Sequence, residues 1–156
     1  MIRRSLLAIS ALALFANLLS AQEKPNFSGS WKMNAAKSDF GPMPGPDKLD
    51  RVIDHKEPTV ASKTTQTGPQ GEVTTEIKYK TDGSDSINTM RGQEVKSVAK
   101  WEGDKLVVKS KREVQGMEIA MTETWILSDA GKVLTVNNSI ETPQGNFEIK
   151  VVMDKQ

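Results

Sequence analysis

From residue 48 onward the chain is punctuated by turn chemistry at short, nearly even intervals, and this rhythm restricts the fold more than any other feature. The turn phrases are Gly68-Pro69-Gln70-Gly71, Asp82-Gly83, Arg91-Gly92, Glu102-Gly103-Asp104, Gln115-Gly116, Asp129-Ala130-Gly131 and Pro143-Gln144-Gly145. Gly and Asp tolerate the positive φ of tight hairpins, and Pro fixes the φ that opens a turn. The segments between them predict strands at 48–56, 58–67, 72–81, 84–91, 94–101, 104–114, 117–128, 132–141 and 145–154. The connections are too short for crossovers, so successive strands pair antiparallel. The expected fold is all-β, an antiparallel up-and-down meander of about 8–10 strands closing into a barrel.

One further strand precedes the meander. In Phe27-Ser28-Gly29-Ser30-Trp31-Lys32, period-2 alternation puts Phe27, Gly29, Trp31 and Met33 on one face and Ser28, Ser30 and Lys32 on the other. An inward indole fills volume, and an inward Gly lets a neighbouring strand approach closely. This strand is expected to close one end of the barrel.

The chain before it reads as an export signal over residues 1–21: a charged start with Arg3 and Arg4, an apolar run from Leu6 to Leu19, and Ser20-Ala21 before the cut. The run is about 14 residues, short of the roughly 20 a membrane-spanning helix needs. The paired arginines resemble a twin-arginine signal, but without a cofactor motif there is no reason for folded export, and the general secretory route is expected. The mature chain, 22–156, is expected to be one secreted or periplasmic domain with no membrane anchor. None of the 156 residues is Cys, so disulfides and thiolate metal sites do not arise. Without Arg3 and Arg4 the 21 basic residues fall to 19 against 20 acidic ones. The charges are interspersed, which gives no footprint for nucleic acid.

Between the first strand and the meander, residues 34–47 contain Phe40-Gly41-Pro42-Met43-Pro44-Gly45-Pro46. So dense a set of Pro and Gly continues neither helix nor central strand. The segment reads either as a crossover wrapping one barrel end, with Phe40 as a plug, or as a lid of Phe40 and Met43 over a cavity mouth.

Strand faces carry the functional argument. The inward wall of the C-terminal half reads Leu106, Val108, Ser110, Arg112 and Val114, then Met117, Ile119, Met121, Glu123, Trp125 and Leu127, then Phe147, Ile149, Val151 and Met153. The middle strands offer smaller inward residues: Ser62, Thr64 and Gln66; Val73, Thr75, Ile77 and Tyr79; Ser86, Asn88 and Met90; Val95, Ser97, Ala99 and Trp101. Inside a ten-stranded barrel these underfill the interior and leave a pocket or trapped water. In an open curled sheet the same residues would face solvent.

Arg112 and Glu123 lie inward on consecutive strands and, counted outward from Gln115-Gly116, are expected near each other. They read either as a bidentate carboxylate receptor steadied by Glu123 or as a half-buried structural ion pair. Tyr79, the only Tyr, is a third polar candidate. Catalysis finds no support, because the single His, His55, denies both a histidine metal cluster and a Ser-His-Asp triad elsewhere. Beside Asp54 and Glu57, His55 reads as a solvated strand-edge residue. The glycines lie singly in turns, so no phosphate loop forms, and no cofactor is expected.

Phe27-x-Gly29-x-Trp31-Lys32, the long antiparallel meander, and Lys100-Trp101-Glu102-Gly103-Asp104-Lys105-Leu106-Val107 resemble the fatty-acid-binding proteins and the wider lipocalin-like (calycin) group. Trp31 to Ser38 and Phe40 to Pro44 are also similar to the opening of small exported bacterial proteins of that type. The resemblance implies a lipocalin-like barrel binding a hydrophobic carboxylate through inward Arg and Tyr. The chain departs from it where two helices would follow the first strand and where the last strand would carry Arg-x-Tyr, here Lys150-Val151-Val152. The expected function is a non-enzymatic, monomeric binding protein for a small hydrophobic or amphipathic ligand, contacted by Trp31, Tyr79, Arg112, Glu123 and Trp125. The alternative is a cell-envelope interaction or structural module without a small-molecule ligand.

Overall fold

A computed structural model describes residues 23–156, so the leader expected over 1–21 lies outside the described residues. The described chain is ten strands and one short 3-10 turn. The strands are β1 (Gly29–Met33), β2 (Lys48–Lys56), β3 (Thr59–Gly68), β4 (Gly71–Lys80), β5 (Asp82–Met90), β6 (Gln93–Glu102), β7 (Lys105–Val114), β8 (Met117–Ser128), β9 (Val133–Thr142) and β10 (Gly145–Lys155). From β2 on, no boundary departs from the turn-based expectation by more than two residues.

All ten strands belong to one antiparallel sheet in the order β4-β3-β2-β1-β10-β9-β8-β7-β6-β5. The first strand therefore joins the two arms of the meander, pairing Trp31 with Arg51 of β2 and with Lys155 of β10. The ends of the order, β4 and β5, lie side by side without a backbone ladder, and two side chains of β5 bridge the seam. Asn88 Oδ1 accepts from the Lys78 N–H at 2.7 Å while its Nδ2 donates to the Lys78 carbonyl at 3.1 Å. The Lys80 N–H donates to Ser86 Oγ at 2.9 Å. A register shift between Asp82 and Asp85 precedes both residues, the sort of irregularity that re-aims side chains at a sheet edge. The sheet is thus a nearly closed barrel, the lipocalin-like fold that the sequence implied.

Closure settles the question raised by the small polar residues: Ser62, Ser86, Ser97 and Ser110 are buried, so the middle strands face an interior rather than solvent. Ser97 and Ser110, cross-strand partners, share a hydrogen bond of 2.8 Å. One end of the barrel is packed solid. Phe27, fully buried, stacks on His55 (centroids 5.7 Å) and Trp101 (5.8 Å) and meets Trp125 edge-on at 5.6 Å. Trp31 is 1% exposed, and its indole N–H donates to the Phe27 carbonyl at 2.9 Å.

The solvated edge position expected of His55 is corrected here: the residue is 4% exposed. Its Nδ1 accepts from the Phe27 N–H at 3.2 Å, which leaves Nε2 to donate to Glu57 at 3.0 Å. Glu57 also accepts from Trp101 Nε1 at 2.9 Å and from the Thr81 hydroxyl. Inward alternation through Leu49, Arg51, Ile53 and His55 puts the ring inside.

Candidate functional site

The opposite end is the mouth, and residues 34–47 span it. After Asn34 caps the 3-10 turn Ala35–Lys37, Asp39 forms a two-way bridge with Lys150 (2.8 and 2.7 Å), taking up the edge of β10 beyond the reach of the five-residue β1. The arm is anchored again where the Asp47 N–H donates to the Thr67 carbonyl at 2.8 Å. Between these anchors Phe40 packs against the core, half-buried, and Gly45 lies against its ring. A Cβ at Gly45 would fall 2.6 Å from Phe40 Cδ2. Between the arm and the β3–β4 turn at Gly68–Gly71 is a recess of about 430 Å³, open to solvent on one side and lined by Phe40, Met43, Gln66, Val73, Arg91 and Ile149 as well as the turn. The Pro/Gly segment thus wraps the barrel end as a crossover with Phe40 packed inward, and Phe40 and Met43 also form part of the recess wall. A second, smaller cavity of about 110 Å³ lies against β5–β9, lined by Met90, Val95, Ser110, Arg112, Ile119, Met121 and Ile140.

Below the mouth the wall turns polar. The register pairs Leu49 with Gln66 and, one inward step deeper, Arg51 with Thr64. Arg51 Nε donates to Thr64 Oγ1 at 2.9 Å, and its guanidinium carbon lies 5.2 Å from the centre of the Trp125 ring. The same indole donates through Nε1 to Glu123 Oε2 at 3.0 Å, with Glu123 only 8% exposed. Tyr79, also buried, meets Trp125 edge-on at 6.3 Å. Trp125 thus sits among a cation, an anion and a phenol. Burial pulls the Arg51 guanidinium below its ordinary range, opposed by Glu123 and Tyr79. Burial also pushes the Tyr79 phenol well up, and the Glu123 carboxylate adds to that shift while Arg51 opposes it. Among the described residues, two buried side-chain polar atoms lack a hydrogen-bond partner, Arg51 Nη1 and Ser62 Oγ.

Of the residues singled out from sequence, Tyr79, Glu123 and Trp125 are brought together in this interior. Trp31 belongs to the packed core. The expected approach of Arg112 to Glu123 does not occur: Arg112 pairs with Ile119, Glu123 pairs with Val108, and the four-position offset separates them by roughly 13 Å along the strands. Arg112 instead lines the small cavity and borders a surface recess that also holds Glu94, Glu113 and Glu118. The cation near Glu123 is Arg51. Its signal was the alternation of Leu49 and Ile53 about it, blurred by Val52, which faces outward and is exposed.

No family model matches the chain, and no curated protein matches it. Solved structures do match, and they support the fold. Zebrafish ileal bile acid-binding protein complexed with cholic acid aligns at 19% identity and a TM-score of 0.59, over 83% of this chain and 98% of that one. Secretory abundant heat soluble protein 4 from Ramazzottius varieornatus aligns at 16% identity and 0.60, over 87% and 99%. Fatty-acid-binding protein 1 from Echinococcus granulosus aligns at 18% identity and 0.54, over 83% and 96%.

Proposed function

We propose that this is an exported, non-enzymatic binding protein that holds a small hydrophobic or amphipathic molecule in the mouth half of the barrel. The observation that carries the reading is the unequal filling of the two barrel ends: one is packed by Phe27, Trp31 and Trp125, while the other holds a half-open recess of about 430 Å³ between the Phe40–Pro46 arm and the β3–β4 turn. That volume lies within the usual range for small-ligand sites, which combine apolar lining with a few polar groups. The bile acid-binding and fatty-acid-binding neighbours share the architecture, and the ligand contacts we assign are Phe40, Met43, Gln66, Val73, Arg91 and Ile149, with Arg112 in the smaller cavity; Tyr79, Glu123 and Trp125, expected as contacts from the sequence, are buried and line neither cavity. Trp31 supports the wall from the core.

A cell-envelope docking module would be favoured by a broad exposed apolar patch at the arm. Phe40 is instead packed inward, and the exposed large hydrophobics among the described residues, Met43, Val52 and Ile87, lie on three separate elements. The test is titration of the mature protein with a fluorescent fatty amphiphile, repeated on Val73→Trp, which fills the mouth cavity from β4. Saturable one-to-one binding, lost in a folded Val73→Trp protein, supports the reading. No saturable binding, or binding indifferent to the filled cavity, contradicts it.

A further inference from the structure

The recess at the mouth carries charge of one sign, and this fixes how a ligand lies in it, an inference that rests on the binding reading above. The arm, the β3–β4 turn with Gln66 and Val73, and Ile149 contribute only uncharged residues to the wall. Among the described residues, Arg91 is the one charged side chain lining it. Arg91 also comes from a different part of the sheet: it belongs to the turn between β5 and β6, across the seam where β4 and β5 share no ladder. Among the described residues it forms no ion pair. Glu72, the acid adjacent to the lining in sequence, alternates outward from Val73. Its charge falls instead on Lys48, which Asp50 chiefly, and Glu72 in smaller part, hold above its ordinary value.

Turn chemistry does not call for an arginine at this place. Arg91 has a φ of +51°, and that position of a two-residue hairpin turn favours Asn, Asp or Gly. A residue held there against its preference raises the question of what its side chain does.

The wall is also graded in polarity. Phe40 and Ile149 pack against the barrel core, so the apolar part of the recess lies on the core side. Arg91 is exposed, on a turn at the rim. An amphiphile whose chain lies against Phe40, Val73 and Ile149 therefore has its polar end at Arg91. There an anion keeps part of its hydration and meets a cation with no paired carboxylate. Carried inward, the same anion would lose its water. The neighbouring cavity offers no better seat: its volume is about 110 Å³, and its arginine, Arg112, also borders the recess that holds Glu94, Glu113 and Glu118.

We propose that the ligand is a single-chain anionic amphiphile bound head-out, with its chain against Phe40, Val73 and Ile149 and its anionic headgroup at the solvent-facing rim on Arg91. Because the head stays outside, the site accepts a large anionic headgroup as readily as a bare carboxylate.

The experiment is isothermal titration calorimetry of the protein with three lauroyl ligands below their micellar concentrations. They are dodecanoate, lauroyl lysophosphatidylglycerol with its large anionic head, and lauroyl lysophosphatidylcholine, which has the same chain and no net charge. The glycerol lipid is expected to bind about fivefold more tightly than the choline lipid, the upper range for a part-exposed charge pair, and about as tightly as dodecanoate. Arg91→Asn removes the cation and suits the positive φ, and in it the preference for the anionic head is expected to vanish. Equal binding of the two large-headed lipids, or a preference that survives Arg91→Asn, overturns the inference and leaves the binding reading standing. Dodecanoate bound while both large heads are refused does the same, because it places the head inside. Failure of all three ligands to bind removes both. If Arg91→Asn does not fold, salt decides in the native protein. Between about 0.01 and 1 M ionic strength the Debye length falls from about 30 to about 3 Å, so the preference should collapse, and a preference indifferent to salt overturns the inference.

Discussion

Asn88 grips the backbone of Lys78 across the barrel's seam, accepting from its N–H at 2.7 Å and donating to its carbonyl at 3.1 Å. A strand ladder would make these bonds between main chains. Here the sheet order ends at β4 on one side and β5 on the other, and an amide side chain makes them instead.

Replacing that amide opens the seam. Asn88→Ala is expected to cost about 1–2 kcal/mol, the worth of two partly solvated hydrogen bonds. Urea denaturation measures the loss, and amide exchange should accelerate at Lys78 before the rest of β4. Unchanged protection at Lys78 would show that the seam is held by something else.

The packed end should be far more sensitive. Phe27→Ala and Trp31→Ala each remove a fully enclosed aromatic ring and are expected to cost about 3–5 kcal/mol. A loss below about 1 kcal/mol in either variant would mean that the ring is not a core element.

Strand bounds, barrel closure by β1 and the inward placement of Tyr79, Glu123 and Trp125 were legible because period-2 alternation and turn residues are local properties. The Arg112–Glu123 pairing failed on register: residues equidistant from the Gln115-Gly116 turn face each other, and Glu123 lies four positions beyond Arg112's partner Ile119. Arg51 and His55 stayed hidden because their strand reads Arg-Val-Ile-Asp-His, with an apolar residue outward and basic ones inward. Only tertiary burial reverses the usual assignment. The bridging role of Asn88 depends on which strands end the sheet, a global property that no local pattern encodes.

Acid should weaken the packed end through Glu57. Burial pushes this carboxyl up, but hydrogen bonds from Thr81, His55 and Trp101 outweigh it and hold it below its ordinary value. A lowered folded value means that its contribution is present above the unfolded value of about 4.3 and is lost as pH falls through the folded value. Glu57→Gln is therefore expected to flatten the acid limb of a stability-versus-pH curve. An acid limb of unchanged slope would remove Glu57 from that role.

At the mouth, Gly45 sets the pose of Phe40. Gly45→Ala places a methyl 2.6 Å from the ring edge, so the ring must move. The expected result is altered ligand affinity and faster ligand release in stopped-flow fluorescence, with global stability nearly unchanged because Gly45 belongs to the surface arm. Identical release rates would show that Phe40 does not gate the cavity.

Whether the barrel carries a small amphiphile is decided by native mass spectrometry of the protein purified from its own host, followed by extraction of any bound molecule. A defined additional mass is expected, lost on denaturation and belonging to a small apolar or amphipathic compound. A bare protein mass, unchanged after incubation with fatty acids, fatty amides and other apolar ligands, would contradict it.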